Sequence, residues 1–229
     1  TIKQRVSDIV EEILSYEPKI LGLGVYIWNA DESYELVRLI KRLDPSVVIV
    51  IGGPEVSYET ESQLICQSAD YVIKGEGEKL FRKLCQELMR GKRPLLKQIG
   101  PQEEPLSDIH SPYAFYNAED IANRVIYVEA SRGCPFRCEF CLSALDKQVR
   151  TFDLKCFLEA LQDLVNRGVR HFKFVDRTFN LNIKVSQKIL EFFLEPDKKN
   201  VFVHFELIPD RLPEALREVI IRFAPGRLQ

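Results

Sequence analysis

An α/β fold with parallel strands, arranged as two successive units, is the class this 229-residue sequence predicts. Three observations predict it. Short apolar runs rich in Val and Ile alternate with amphipathic segments of helical period, once over Val6–Met89 and again over Val125–Phe223. Val47–Ile51 is apolar without interruption, as suits a strand covered on both faces. Between the two alternations, Gly91–Arg124 has weaker periodicity and carries Pro94, Pro101, Pro105 and Pro112, the composition of a linker or strap.

The elements follow in order. Val6, Ile9, Val10, Ile13 and Leu14 recur at helical spacing, and Pro18 follows them. Ile20–Trp28 reads as a buried strand, and Tyr34–Leu43 as a helix with Leu36, Leu39, Ile40 and Leu43 inward. The strand Val47–Ile51 ends abruptly at Gly52-Gly53-Pro54. A helix over about Tyr58–Gln67, a strand Tyr71–Lys74 and the turn Gly75-Glu76-Gly77-Glu78 come next. Leu80, Phe81, Leu84, Leu88 and Met89 then make a helix amphipathic. In the second alternation the strand Val125–Ala130 leads straight into a cysteine cluster. Thr151 is placed to cap a helix running to Arg167, which Gly168 stops. Strand His171–Val175, helix Lys184–Phe193, strand Val201–Leu207 and helix Pro213–Phe223 complete it.

Composition excludes several classes. The net charge of −2 and pI of about 6.0 provide no global basic field, so nucleic acid is not indicated. The longest apolar run, Ile20–Trp28, has a strand's length rather than a membrane span's, and no charged-then-apolar leader stands at the N-terminus. There are 6 cysteines, too sparse for a secreted disulfide scaffold, which points to a reducing cytoplasm. Cys66, Cys85 and Cys156 fall on apolar-periodic places in predicted helices and read as small buried hydrophobes.

The other three cysteines carry the chemistry. Ser131-Arg-Gly-Cys134-Pro-Phe-Arg-Cys138-Glu-Phe140-Cys141 has the spacing C-x3-C-x2-C. Three thiolates on one tight loop suit three irons of a cubane cluster and leave the fourth iron open to a chelating ligand. A structural zinc site wants a fourth ligand and usually a second C-x2-C pair, which the sequence lacks. A thioredoxin-like site leaves Cys134 unexplained, and a ferredoxin wants a fourth Cys, for which Cys156 inside an amphipathic helix is a poor candidate.

With Phe140 as the aromatic before the third Cys, the loop resembles the signature of the radical S-adenosylmethionine superfamily. The resemblance implies that Cys134, Cys138 and Cys141 hold a 4Fe-4S cluster, and that the methionine moiety of S-adenosyl-L-methionine chelates the open iron. An electron from the cluster then releases a 5′-deoxyadenosyl radical. It further implies a partial (β/α) barrel with its site at the strands' C-terminal ends, and a reductant protein such as flavodoxin or ferredoxin. Asp176, in the stretch His171-Phe-Lys-Phe-Val-Asp176-Arg-Thr-Phe179-Asn180, is then a candidate for the S-adenosylmethionine site; its other reading is an Asp capping the next helix. Glu206 either faces the cavity or is structural, as an alternating strand residue can be. Arg150 is a carboxylate binder or a surface residue. The family's usual Gly-Gly-Glu-Pro motif is not present.

Gly22-Leu-Gly24-Val-Tyr-Ile27, then Gly52-Gly53-Pro54-Glu55, then Gly75-Glu76-Gly77-Glu78, resembles the cobalamin-binding domain fused to many of these enzymes. Glycines at strand ends let backbone approach a large ligand, although each also suits a tight strand–helix turn. Gly24, Gly52, Gly53, Gly75 and Gly77 are the candidate cobalamin residues. The family's Asp-x-His-x-x-Gly motif is not found, since no His precedes His110, and the first strand that would carry it is expected to lie outside this chain. The resemblance therefore implies three parts: 1–92, a Rossmann-like (flavodoxin-like) parallel sheet; 93–124, a linker; and 125–229, the first three strand–helix units of the partial barrel. Both units are expected to be incomplete, with the third barrel strand an open edge and Arg227-Leu228-Gln229 the start of a fourth. The activity expected is methyl transfer to an unactivated carbon, with cobalamin carrying the methyl group, or more rarely a rearrangement, on an unknown substrate. The alternative is an iron–sulfur redox or sensor module without radical chemistry.

Overall fold

A computed structural model describes residues 4–100, 105–139, 141, 148–210 and 212–229. The chain forms two compact units, Thr1–Glu104 and Pro105–Gln229.

The first unit runs α1 (Val6–Ser15), β1 (Ile20–Gly24), α2 (Ala30–Leu43), β2 (Val48–Gly52), α3 (Leu64–Ser68), β3 (Tyr71–Ile73), α4 (Glu78–Met89) and β4 (Gln98–Ile99). Its strands form one sheet in the order β1-β2-β3-β4, each pair parallel. Successive side chains of a strand point to opposite faces, and β2 uses both. Ile49 and Ile51 pack with Val37, Ile40 and Ile65. Val48 and Val50 pack with Leu80, Leu84 and Leu88. The unbroken apolar run is thus a central strand serving two cores, α1 to α3 on one side and α4 on the other.

Two boundaries in this unit differ from expectation. β1 stops at Gly24 rather than Trp28, because the Asn29 side chain takes over the chain's hydrogen bonds. Its Oδ1 accepts from Tyr26 N–H at 2.7 Å and its amide donates to the Gly24 carbonyl at 3.0 Å. Ile27 and Trp28 are consequently exposed, Trp28 stacking on Tyr26 at 4.6 Å. The helix expected over Tyr58–Gln67 contracts to α3, because the Gln63 side chain donates to the carbonyls of Glu55 and Tyr58, both at 2.8 Å, and holds the preceding residues in a turn.

The second unit runs α5 (Ala118–Asn123), β5 (Ile126–Val128), β6 (Ser131–Arg132), β7 (Arg150–Thr151), α6 (Leu154–Asn166), β8 (His171–Phe174), α7 (Ile183–Phe193), β9 (Phe202–His204) and α8 (Glu214–Ile220). β5, β8 and β9 form a parallel sheet in the order β5-β8-β9, and β6 and β7 an antiparallel ribbon. Among the described residues the parallel sheet does not close into a barrel. Its helix-covered face packs Ile126, Val128, Phe172, Phe174 and Val203 against Leu161, Leu164, Ile189 and Phe193. The opposite face carries a register row, Tyr127, Lys173 and His204, none of them buried.

Here too there are corrections. Thr151 does not cap α6; it lies in β7 opposite Ser131. Asp153 is the cap, accepting from the Cys156 N–H at 2.8 Å. That places Cys156 in the first turn and exposed, not in the core, whereas Cys66 is buried and Cys85 half-buried. The edge of β9 is not open. Val203 N–H donates to the Arg227 carbonyl at 2.9 Å and accepts at its own carbonyl from Gln229 N–H at 3.1 Å, so the last residues run parallel to β9. Within 93–124, Gln98–Ile99 extends the first sheet, and Tyr113 enters the second unit's core.

Candidate functional site

The cysteine loop hangs from the C-terminal end of β5. Gly133, just before Cys134, has φ +89°, and a Cβ there would meet the Gln148 carbonyl oxygen at 2.2 Å. Only glycine fits where the outgoing and returning arms of the loop touch. Cys134 is buried, Cys141 half-buried and Cys138 exposed. Cys141 N–H donates to the Cys138 carbonyl at 3.0 Å, which puts these two cysteines on one turn. Among the described residues no group of three or more His, Cys, Asp or Glu side chains is gathered as a ready metal site. The donor set itself, three thiols within one loop, suits iron–sulfur ligation, and such ligands commonly close around the metal as it binds. Phe140 lies outside the described residues.

The loop is braced from the exit of β8. Asp176 is buried, and its two oxygens accept from Ala130 N–H at 2.9 Å and Ser131 O–H at 2.6 Å. Burial pushes its carboxyl above the ordinary Asp range, although these hydrogen bonds pull the other way. It does not cap α7; Asn182 does, accepting from Val185 N–H. Thr178, also buried, sits with its Oγ1 at 3.6 Å from the Cys134 sulfur. On the other side the Tyr113 hydroxyl takes both backbone groups of Glu129, accepting from its N–H at 2.9 Å and donating to its carbonyl. Desolvation raises the Tyr113 pKa, so the phenol stays protonated and able to donate. Glu206 is exposed beyond β9, and its carbonyl accepts from Phe179 N–H at 2.8 Å, tying the exits of β8 and β9 together. Arg150 lies in β7 opposite Arg132.

Thr178, Ser131, Gly133 and Tyr113 were not singled out from sequence. Thr178 lies beyond the end of β8, where no strand periodicity marks it. Nothing local pairs Tyr113 with Glu129.

In the first unit the glycines assemble at one end. Gly24 is in register with Gly52, and Gly52 with Ile73, two residues before Gly75. Gly77 caps α4 just beyond. Since the strands are parallel, Gly24, Gly52, Gly53, Gly75 and Gly77 all lie at the carboxyl edge, where open α/β sheets bind ligands. Gly53 has φ +114°, and a Cβ would fall 2.5 Å from the Val25 carbonyl oxygen.

Residues 1–85 match the model of the B12 binding domain. The chain is also 30% identical over 203 residues to an uncharacterized methyltransferase of Pyrococcus horikoshii, covering 78% of this chain and 44% of that protein. It is 28% identical over 186 residues to the cobalamin-dependent radical SAM methyltransferase TokK of Streptomyces tokunonensis, covering 68% of this chain and 26% of TokK. The chain thus carries a B12 binding domain in residues 1–85 and is similar, over both units, to a cobalamin-dependent radical SAM methyltransferase. Its fold agrees with that likeness. The structure of the radical S-adenosylmethionine methyltransferase TsrM from Kitasatospora setae, bound to tryptophan and aza-SAM, superposes with a TM-score of 0.72 at 18% identity, covering 97% of this chain and 50% of TsrM. The chain spans less than half the length of these curated relatives. Among the described residues no helix is long and apolar enough to cross a membrane.

Proposed function

We propose that this chain supplies the cofactor-binding portion of a cobalamin-dependent radical SAM methyltransferase. The observation that carries the proposal is the pairing of a B12-binding match on residues 1–85 with a C-x3-C-x2-C loop at the carboxyl end of a parallel sheet. Cys134, Cys138 and Cys141 would hold the 4Fe-4S cluster, and the glycine edge at Gly24, Gly52, Gly53, Gly75 and Gly77 would admit cobalamin. When bound, these groups supply an electron to S-adenosylmethionine and a carrier for the methyl group. The chain's own part is positional. Asp176 and Tyr113 fix the backbone leading into the cysteine loop, and the glycines remove side chains from the ligand-facing edge. Phe140 and Glu206 stay assigned to the S-adenosylmethionine side. With both oxygens engaged, Asp176 is better suited to bracing the loop than to holding the methionine amine. A flavodoxin- or ferredoxin-type protein is the reductant that such a cluster requires. The methyltransferase relatives do not favour a redox or sensor module.

Anaerobic reconstitution with iron, sulfide and hydroxocobalamin, followed by S-adenosylmethionine and dithionite, tests the reading. The expected result is one cluster per chain, a cobalamin visible spectrum that survives gel filtration, and release of 5′-deoxyadenosine. A loaded protein that leaves S-adenosylmethionine intact would favour the redox module instead.

A further inference from the structure

We infer that Thr178 is the hydrogen-bond donor to the Cys134 sulfur and sets the reduction potential of the cluster that Cys134 ligates. The inference rests on the proposed ligation by Cys134 and goes beyond it, because Thr178 is neither a ligand nor part of the cysteine motif. Thr178 Oγ1 and Cys134 Sγ are 3.6 Å apart, and both residues are buried, at 4% and 8% exposure. As a thiol, Cys134 can donate or accept. As a thiolate bound to iron it has no proton, so the hydroxyl must donate and the sulfur accept. No competing partner for the Thr178 hydroxyl is found among the described residues, and its burial keeps water from replacing this bond.

The backbone makes this contact deliberate in position. Asp176, two residues earlier, grips Ala130 and Ser131, and Phe179 N–H, one residue later, is held by the Glu206 carbonyl at 2.8 Å. Phe179 itself packs on Phe205 at 4.0 Å. Thr178 is therefore fixed on both sides while its hydroxyl reaches the sulfur. Hydrogen bonds to cluster sulfurs are one of the main levers on iron–sulfur potentials. One-electron reduction takes the cluster from the 2+ to the 1+ state and adds negative charge to its sulfurs. A donor at Cys134 stabilises that added charge and raises the midpoint.

The test is an EPR-monitored redox titration of the reconstituted protein, with dithionite as reductant, comparing wild type with Thr178→Val and Thr178→Ser. Valine keeps the shape and removes the donor; serine keeps the donor and removes the methyl group. The expected result is a more negative midpoint in Thr178→Val, equivalent to about tenfold in the one-electron equilibrium or ~59 mV, with Thr178→Ser near wild type. Equal midpoints in all three proteins, or equal shifts in both variants, overturn the inference while leaving ligation by Cys134 intact. If Thr178→Val holds too little cluster to titrate, iron per chain replaces the midpoint: loss in Val with retention in Ser agrees, and equal loss in both overturns it. A wild-type protein that assembles no cluster removes the proposed ligation, and this inference with it.

Discussion

At Asp176 a buried carboxylate does the work of a clamp. It holds Ala130 and Ser131 from the neighbouring strand, and burial raises its pKa. An acid with a higher pKa in the folded than in the unfolded state binds protons better when folded. Its stabilising contribution is complete below the ordinary Asp pKa of about 3.9 and is lost as pH rises through the raised value. Denaturant midpoints measured across that rise should therefore fall in wild type, and Asp176→Asn, which cannot titrate there, should flatten that part of the slope. Gly53 raises a different question. Its φ of +114° and the 2.5 Å approach to the Val25 carbonyl leave no room for a side chain. Gly53→Ala should cost about 1–3 kcal/mol by chemical denaturation, and an unchanged midpoint would show that the turn relaxes freely.

The elements owe their limits to side chains that compete with the backbone pattern. α6 begins where Asp153 accepts from the Cys156 N–H, not at Thr151, which the β6–β7 ribbon claims. Asp153→Ala should therefore destabilise the second unit by about 1 kcal/mol, and Thr151→Ala should cause no loss of helix by circular dichroism. β8 is the central strand of its sheet, and Phe174 lies wholly buried between Phe157, Phe179, Phe193 and Phe205, with ring centroids 4.5–6.2 Å away. Truncation to Ala leaves a cavity in a packed aromatic cluster, and a loss of about 3–5 kcal/mol is expected. Because β8 leads directly into Asp176 and Thr178, the same change should lower the iron retained after reconstitution.

For the whole molecule, the two cofactor sites proposed draw on different units. The glycine edge belongs to Thr1–Glu104 and the cysteine loop to Pro105–Gln229. Their losses should be separable. Cys138→Ala should abolish the broad cluster absorption and keep hydroxocobalamin binding. Gly24→Leu should do the reverse: Gly24 is exposed, and its added Cβ would only touch the Tyr26 ring at 3.4 Å, so the fold should tolerate it while the ligand-facing edge is blocked. Cys66→Ala should leave the cluster spectrum unchanged. Loss of both cofactors in either site variant would show that the two sites assemble as one.

Much of this protein was legible in its sequence, for a physical reason. Periodicity reports burial directly, so the unbroken run Val47–Ile51 disclosed a strand with two covered faces. Glycines bordering strands fell at one edge of the sheet, because parallel strands put all their carboxyl ends together. The cysteine spacing is local, and its chemistry needs no tertiary information to be recognised. What only the tertiary structure decided concerns residues that meet across long sequence separations. Asp176 could as well have been a helix cap until Ala130 and Ser131 were placed beside it. Gly133 required the returning arm at Gln148, and Thr178 required Cys134, 44 positions earlier. Arg227–Gln229, expected as the start of a fourth strand, does run parallel to β9, but that it covers the edge expected to be open was decided by backbone groups that every residue carries. Hydrogen bonds of this kind leave no periodic trace, since any sequence can make the backbone half of them.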